Sequence, residues 1–213
     1  MSGVVNMIVA AGSTALPWYL ADFRRGTYAY KGVPKALTEI VTLNGGASVT
    51  PQGLLCDVAG EYATTSPEIP PGDHAIIFEF EDPPDPGGAR YPGLFRIDAT
   101  QTYRSYQSTS GNDWSLECPT GVTGVYPLIA DGTPNTLVFA KRTGAAGTLV
   151  STNGGPVQVS SAAYGLSGTG IWYLGTIGGG IDLGNFLGTA IRRVEIREGT
   201  FSDAQLQSIS AGN

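Results

Sequence analysis

The chain has 213 residues, of which 31 are glycine and 14 are proline, while only 14% carry a charge. Because helix interiors tolerate glycine and proline poorly, this composition excludes a coiled coil or a helical bundle, and 41% apolar residues with a net charge of −6 exclude a disordered chain. Twelve basic against eighteen acidic residues leave no positive field, so binding to nucleic acid or to a membrane is not expected.

The first 21 residues contain no charged side chain, and the first basic residue is Arg24. A secretion signal needs a basic segment before its apolar core, so no targeting segment is expected. The apolar stretch at residues 7–11 is far shorter than the roughly 20 residues of a membrane span. Because an exposed apolar segment is unfavourable in water, we interpret residues 1–21 as an arm that docks on a partner.

Short runs with a period of two dominate the rest of the chain, separated by Gly, Pro, Asn and Asp. Such runs of β-branched and aromatic residues predict strands. In one of them, Tyr103 and Arg104 are expected on opposite faces of a half-exposed sheet. The predicted strands span residues 75–80, 93–98, 101–107, 135–141, 148–151, 156–160, 171–175 and 189–198.

Turn and capping signals add one hairpin and one helix. Asn and Gly at residues 153–155 accept the positive φ angles of tight turns, which predicts a hairpin over residues 148–160. Near the C-terminus, Ser202 can cap a helix and Gln205 can reach back to it, and Gly212 would end that helix. Many short strands with one short terminal helix predict an antiparallel β-sandwich.

Five motifs follow one another in the C-terminal third: a strand, an Asn-Gly hairpin, a strand ending in glycine, a strand with spaced Gly, Ile and Val, and a short Ser-Asp-Ala-x-Leu helix. They occupy residues 137–140, 151–157, 172–175, 188–196 and 201–206. Their order resembles the concanavalin A-like (laminin-G-like) jelly roll. The resemblance implies an all-β, antiparallel jelly-roll β-sandwich with a short C-terminal helix.

Residues 20–33 and 51–54 look like a lead-in that precedes such jelly rolls in proteins of tailed bacteriophages. The resemblance implies a jelly-roll domain over residues 22–213, with residues 22–60 as its lead-in. It also implies a non-enzymatic structural protein of the virion, a capsid decoration or head spike protein. Docking on other virion proteins would use residues 1–21, and a homo-oligomer is expected. The alternative is a tail-fibre or receptor-binding module that recognises host-surface glycans.

The same fold also occurs in glycosidases of the laminarinase type, whose strand carries Glu-x-Asp-x-x-Glu. A retaining mechanism uses two carboxyl groups about 5 Å apart. Glu79 and Glu81 share a strand face, but the central Asp and the final Glu are missing, and Pro83 and Pro84 would end the strand. We interpret the two glutamates as a solvent-facing pair and predict that the chain is not an enzyme.

Sugar binding without catalysis needs aromatic rings and planar polar groups on an accessible surface. A loop of small polar residues, 108–113, is predicted between two strands that carry such side chains. The alternative interpretation of these aromatic residues is packing in the core. The candidate carbohydrate-binding residues are Tyr103, Tyr106, Asn112, Asp113 and Trp114.

No metal site or cofactor is predicted. A single histidine, His74, excludes a His-x-x-x-His zinc site, and we interpret it as a structural residue at the start of a strand. Cys56 and Cys118 are interpreted as buried free thiols, with one disulfide as the alternative. The aspartates of predicted loops show no calcium-loop spacing; they are Asp82, Asp85, Asp131 and Asp182.

Overall fold

The computed structural model of the chain describes residues 16–81, 93–98, 102–107, 113–118, 121–127, 134–160, 163–177 and 187–212. These residues form an antiparallel β-sandwich that ends in a short helix, as predicted. No helix in these ranges is long and apolar enough to cross a membrane.

The elements of the first half are short. They are β1 (Tyr19–Asp22), β2 (Thr27–Tyr30), β3 (Val33–Lys35), α1 (Leu37–Ile40), β4 (Thr42–Asn44), β5 (Ser48–Thr50), β6 (Gly53–Cys56), β7 (Tyr62–Thr65), β8 (Glu68–Ile69) and β9 (His74–Phe80). The second half contains β10 (Gly93–Asp98), β11 (Thr102–Gln107), β12 (Asp113–Cys118), β13 (Gly121–Pro127), β14 (Asn135–Lys141), β15 (Leu149–Thr152), β16 (Gln158–Val159), β17 (Gly168–Thr169), β18 (Ile171–Leu174), β19 (Thr189–Glu198) and α2 (Asp203–Ser210).

The strands form two large sheets and one small one. The ten-stranded sheet has the order β16-β15-β14-β9-β19-β1-β2-β3, with β6 added to β19 and β5 added to β6. The seven-stranded sheet has the order β13-β12-β11-β10-β18-β7-β4, and β8 pairs with β17 alone. Strands far apart in sequence are therefore neighbours in both large sheets.

Several predicted elements are confirmed. The strands at 93–98, 135–141 and 189–198 have the predicted bounds. The hairpin between β15 and β16 turns at Asn153 and Gly154, whose φ angles are +50° and +76°. The four-residue helix α1 was not predicted, because one helical turn is too short for an apolar period.

The predicted N-terminal arm ends inside the first strand of the sandwich. Tyr19 pairs with Ile196 and Ala21 with Val194, both in β19. Tyr19 is 1% exposed, and its hydroxyl bonds to Thr65 Oγ1 at 2.9 Å. Residues 19–21 therefore belong to the sandwich, which corrects the boundary at 21; residues 1–15 lie outside the described part of the chain.

Stacked aromatic rings fill the centre of the core between the two large sheets. The Phe78 ring lies 4.2 Å from that of Phe95, centroid to centroid, and 6.3 Å from those of Phe139 and Trp172. All four side chains are fully buried. Since Phe78 and Phe139 come from one sheet and Phe95 and Trp172 from the other, this stack joins the two layers.

The C-terminal helix covers the outer side of the ten-stranded sheet. Its cap forms as predicted: Ser202 Oγ accepts from the Gln205 backbone N–H at 3.3 Å, and Gln205 Oε1 accepts from the Ser202 N–H at 2.8 Å. Leu206 and Ile209 then pack in a second apolar cluster with residues of β9 and β14. The helix does not cover the outer side of the seven-stranded sheet, because it packs on β14 and β15 of the ten-stranded sheet.

Candidate functional site

The outer face of the seven-stranded sheet is formed by side chains that alternate with the core. In β18, Trp172 is fully buried, while its neighbour Tyr173 is half-buried. In β10, Ile97 is fully buried between Arg96 and Asp98, whose side chains are 32% and 33% exposed. The helix α2 packs on β14 and β15 of the other sheet. This alternation leaves a polar and aromatic face directed away from the core.

Strand pairing aligns six side chains of this face in one line, here called the sheet row. Each member is the direct cross-strand partner of the next, in the order Thr42, Thr64, Tyr173, Arg96, Arg104 and Glu117. Because neighbouring strands lie about 4.8 Å apart, the row is about 24 Å long. A row of this length suits an extended ligand.

A groove of about 470 Å³ shares Thr42, Thr64 and Tyr173 with the sheet row. The rings of Tyr62 and Tyr173 lie 6.1 Å apart at an angle of 46°. The helix α1 and the strand β4 that follows it contribute further lining residues. The lining is rich in tyrosine rings and hydroxyl groups, including Tyr30, Thr38, Thr42, Tyr62, Thr64 and Tyr173.

One charged side chain lines the described groove, and it is acidic. Glu39 Oε2 accepts a hydrogen bond from the Ala36 backbone N–H at 2.6 Å, and its Oε1 accepts one from Lys35 Nζ at 3.2 Å. The bond from Ala36, followed by that from Lys35, holds the pKa of Glu39 below its usual range. Glu39 is therefore ionised at neutral pH.

The two arginines of the sheet row are each bound to a carboxylate. Arg104 donates from Nε and from a terminal nitrogen to the two oxygens of Glu117, at 2.6 and 2.9 Å, and Arg96 Nε donates to Asp98 Oδ1 at 2.8 Å. The Arg104 guanidinium also lies 5.8 Å from the centroid of the Tyr106 ring. The Arg104–Glu117 pair is bidentate, which fixes its geometry, so it presents preorganised polar groups in the row.

The structure separates the predicted carbohydrate-binding residues. Tyr103 is fully buried, and its ring stacks on Phe139 at 6.1 Å, so it is a core residue; the alternative interpretation holds for it. Tyr106 is half-buried on the outer face beside Arg104. Asn112 and the side chains of Asp113 and Trp114 lie outside the described part of the chain, so their role stays a prediction.

Three residues of the site, Tyr62, Tyr173 and Arg96, are not among the residues predicted from the sequence. A local signal for two of them exists, because Tyr173 alternates with Trp172 and Arg96 alternates with Ile97. The pairing that brings these residues together joins β7, β18 and β10. No local signal predicts that pairing.

The predicted solvent-facing pair of glutamates is instead held by arginines. The side chains of Glu79 and Glu81 are 16% and 22% exposed. Glu79 lies 3.5 Å from Arg193, and Glu81 Oε1 accepts from Arg192 Nε at 2.7 Å. These contacts correct the interpretation. The arginines of β19 lie opposite the end of β9 in the ten-stranded sheet, and neither they nor the two glutamates line the groove.

His74 begins β9 as a buried residue, which confirms the structural interpretation. Its Nδ1 lies 2.8 Å from the Gly72 carbonyl oxygen and its Nε2 lies 2.6 Å from the Tyr164 hydroxyl. The neutral ring satisfies both contacts by donating to the carbonyl and accepting from the hydroxyl. Burial lowers the pKa of His74 below 6.5, and the charge of Lys141 acts in the same direction.

We expect this histidine to make folding pH-dependent. The unfolded chain binds a proton near pH 6.5 while the folded chain does not, so stability is full above that pH and falls as the pH drops toward the lower folded pKa. The slope has an upper limit of about 1.4 kcal/mol per pH unit. Urea unfolding at pH 5 to 7.5 should show this loss in the wild type and not in His74→Gln; parallel curves would contradict it.

The described cysteine is a buried free thiol. Cys56 is fully buried, and this burial raises its pKa to about 12. The side chain of Cys118 lies outside the described part of the chain. Within the described ranges no three His, Cys, Asp or Glu side chains form a group that could hold a metal ion. The loop aspartates at 82, 85, 131 and 182 fall outside those ranges.

Comparison with known proteins gives structural neighbours only. No protein-family model and no curated protein sequence matches the chain. The fold is similar to the CBM40 carbohydrate-binding module of the Ruminococcus gnavus IT-sialidase, with a TM-score of 0.52 and 11% identity over 80% of this chain and 98% of that one. The same module bound to α2,3-sialyllactose gives a TM-score of 0.50 and 13% identity over 65% and 83%.

A second neighbour is the Trypanosoma rangeli sialidase, with a TM-score of 0.55 and 11% identity. The match covers 81% of this chain but only 29% of the sialidase. At these identities the comparisons establish a shared lectin-like β-sandwich. They support neither a bacteriophage origin nor a role in a virion for this chain.

Proposed function

We propose that this β-sandwich is a glycan-binding module and that the groove with its adjoining sheet row is the sugar site. The observation that carries the proposal is the pair of half-buried rings, Tyr62 and Tyr173, beside the hydroxyl groups of Thr42 and Thr64. Tyrosine faces suit the C–H faces of a sugar ring, and hydroxyl groups suit its polar edge.

The similarity to a carbohydrate-binding module supports this proposal over a role in catalysis. Glu79 and Glu81 are bound by arginines in the ten-stranded sheet, while the groove is lined by α1, β4, β7 and β18 together with Tyr19 and Tyr30. Neither glutamate lines the groove. We therefore assign the chain to binding without hydrolysis.

The test is glycan binding by the full chain and by single variants. On an immobilised panel of neutral and sialylated oligosaccharides we expect a defined set of ligands. For the strongest of them, Tyr173→Ala and Tyr62→Ala should weaken binding by about tenfold or more, because each removes a stacking surface. Isothermal titration calorimetry measures the change in Kd.

Two further variants locate the site. Phe201→Ala removes a half-buried ring beside α2 and should leave binding unchanged. Tyr106→Ala tests the predicted cluster at the other end of the face. Loss of binding in Tyr106→Ala without loss in Tyr173→Ala would move the site to that cluster, and an unresponsive panel would contradict the proposal.

The virion role stays a separate proposal. It rests on the lead-in motifs in residues 20–33 and 51–54, and it includes location in the virion, docking of the N-terminal residues on other virion proteins and assembly as a homo-oligomer. A receptor-binding module of a tail fibre would combine it with the glycan-binding function proposed above.

A further inference from the structure

We infer that the ligand of the groove and the sheet row is an uncharged oligosaccharide. The inference rests on the glycan-binding proposal and adds the charge class of the ligand. In this respect the chain would differ from its neighbour that was solved with sialyllactose. Three features of the described surface carry the inference, and each concerns the balance of charge.

First, the positive charge of each arginine in the sheet row is already balanced by a bound carboxylate. Glu117 binds Arg104 through two hydrogen bonds, at 2.6 and 2.9 Å, and Asp98 binds Arg96 at 2.8 Å. Each pair has no net charge, so an acidic sugar would gain a full ion pair with an arginine only by displacing one of these carboxylates. The exchange replaces one ion pair by another and leaves the displaced carboxylate without its partner, so it gives little net affinity.

Second, the same pairs suit hydroxyl groups. Glu117 takes two of the five N–H donors of the Arg104 guanidinium. The pair therefore presents further N–H donors next to carboxylate lone pairs. A sugar hydroxyl both donates and accepts, so it can bind between the two groups without displacing either. Tyr173, the cross-strand partner of Arg96, adds the aromatic surface.

Third, the groove has no cation to attract an acidic sugar. Its charged lining residue, Glu39, is paired with Lys35 at 3.2 Å, and no lysine or arginine lines it within the described ranges. Lys31 lies over the ring of Tyr30, which lines the groove, but it is ion-paired with Glu68. The whole chain carries a net charge of −6. This net charge would repel an anionic ligand on approach, and no uncompensated cation lines the described groove to offset that repulsion.

The experiment compares matched glycans that differ in charge. The full chain is titrated with α2,3-sialyllactose against a neutral trisaccharide that ends in lactose, and with oligogalacturonate against its methyl ester. A third pair is a sulfated galactan oligosaccharide and its unsulfated form. In each pair that binds, we expect the neutral member to bind about tenfold more tightly.

A charge variant tests the physical cause. Glu117→Gln removes the carboxylate that balances the charge of Arg104. The ratio of the two Kd values in each pair should therefore move toward one. Glu198→Gln makes the same change in net charge at an exposed position of β19 and should leave the preference as it is.

The outcomes separate the two proposals. Equal or tighter binding of an acidic member by the wild type would overturn the inference and leave the glycan-binding function intact. An unchanged preference in Glu117→Gln would overturn the role given to the compensated arginines. Binding of no glycan in any pair would instead contradict the proposed function, and the inference with it.

Discussion

Replacing Phe78 by alanine is expected to lower the free energy of unfolding by about 3–5 kcal/mol, the range for a buried phenylalanine truncated in a close-packed core. Phe78 is fully buried at the centre of the aromatic stack, within 4.2 Å of Phe95 and 6.3 Å of Phe139 and Trp172. Its partners are large rings from both sheets, which cannot collapse into the cavity without separating from one another.

Denaturant unfolding followed by tryptophan fluorescence measures this loss, because Trp172 lies in the same stack. Phe78→Leu keeps part of the volume and should cost clearly less. Phe201→Ala makes the same truncation at a half-buried position beside α2. It measures the cost of replacing phenylalanine by alanine outside the aromatic stack. A similar loss in Phe78→Ala and Phe201→Ala would show that the stack does not hold the layers together.

The parts of the fold that follow local rules could be predicted from the sequence. The strand β19 has its predicted bounds, because β-branched residues recur within one uninterrupted run. The cap of α2 needs only the spacing of Ser202 and Gln205. The helix α1 could not be predicted in this way, since one turn carries no period.

The pairing of strands could not be predicted from local patterns. In the ten-stranded sheet β1 lies between β19 and β2, so Tyr19 pairs with Ile196 across most of the chain. A run of alternating residues indicates a strand but contains no information about its neighbour. The absence of charge in residues 1–21 predicts an arm, but it does not show that residues 19–21 pair with β19.

The candidate site shows the same limit. Alternation placed Tyr103 and Arg104 on opposite faces, which the structure confirms. Alternation does not indicate which face is the core, so the sequence leaves two interpretations of Tyr103, a sugar-site residue or a core residue. The groove residues Tyr62 and Tyr173 meet only because β7 pairs with β18, so the site follows from topology.

The second large effect is expected at Gly53, the first residue of β6. Its φ angle is +139°, and a Cβ atom built there would lie 2.4 Å from the Ile191 carbonyl oxygen and 3.1 Å from Arg192 Cα. These are backbone atoms of β19, the strand that pairs with β6, β9 and β1. An added methyl group on Gly53 must therefore push β6 away from β19, the strand with which β6 pairs.

Gly53→Ala is expected to lower the free energy of unfolding by about 2–5 kcal/mol, from about 1–2 kcal/mol of backbone strain and about 1–3 kcal/mol of displacement. Gly199→Ala separates the two causes, because Gly199 has a φ of +121° but no atom within 4 Å of the added Cβ. Gly199→Ala should therefore lower the free energy of unfolding only by the amount due to backbone strain. Equal losses in the two variants would mean that β6 moves away without cost, and the close approach of β6 to β19 would then contribute nothing to stability.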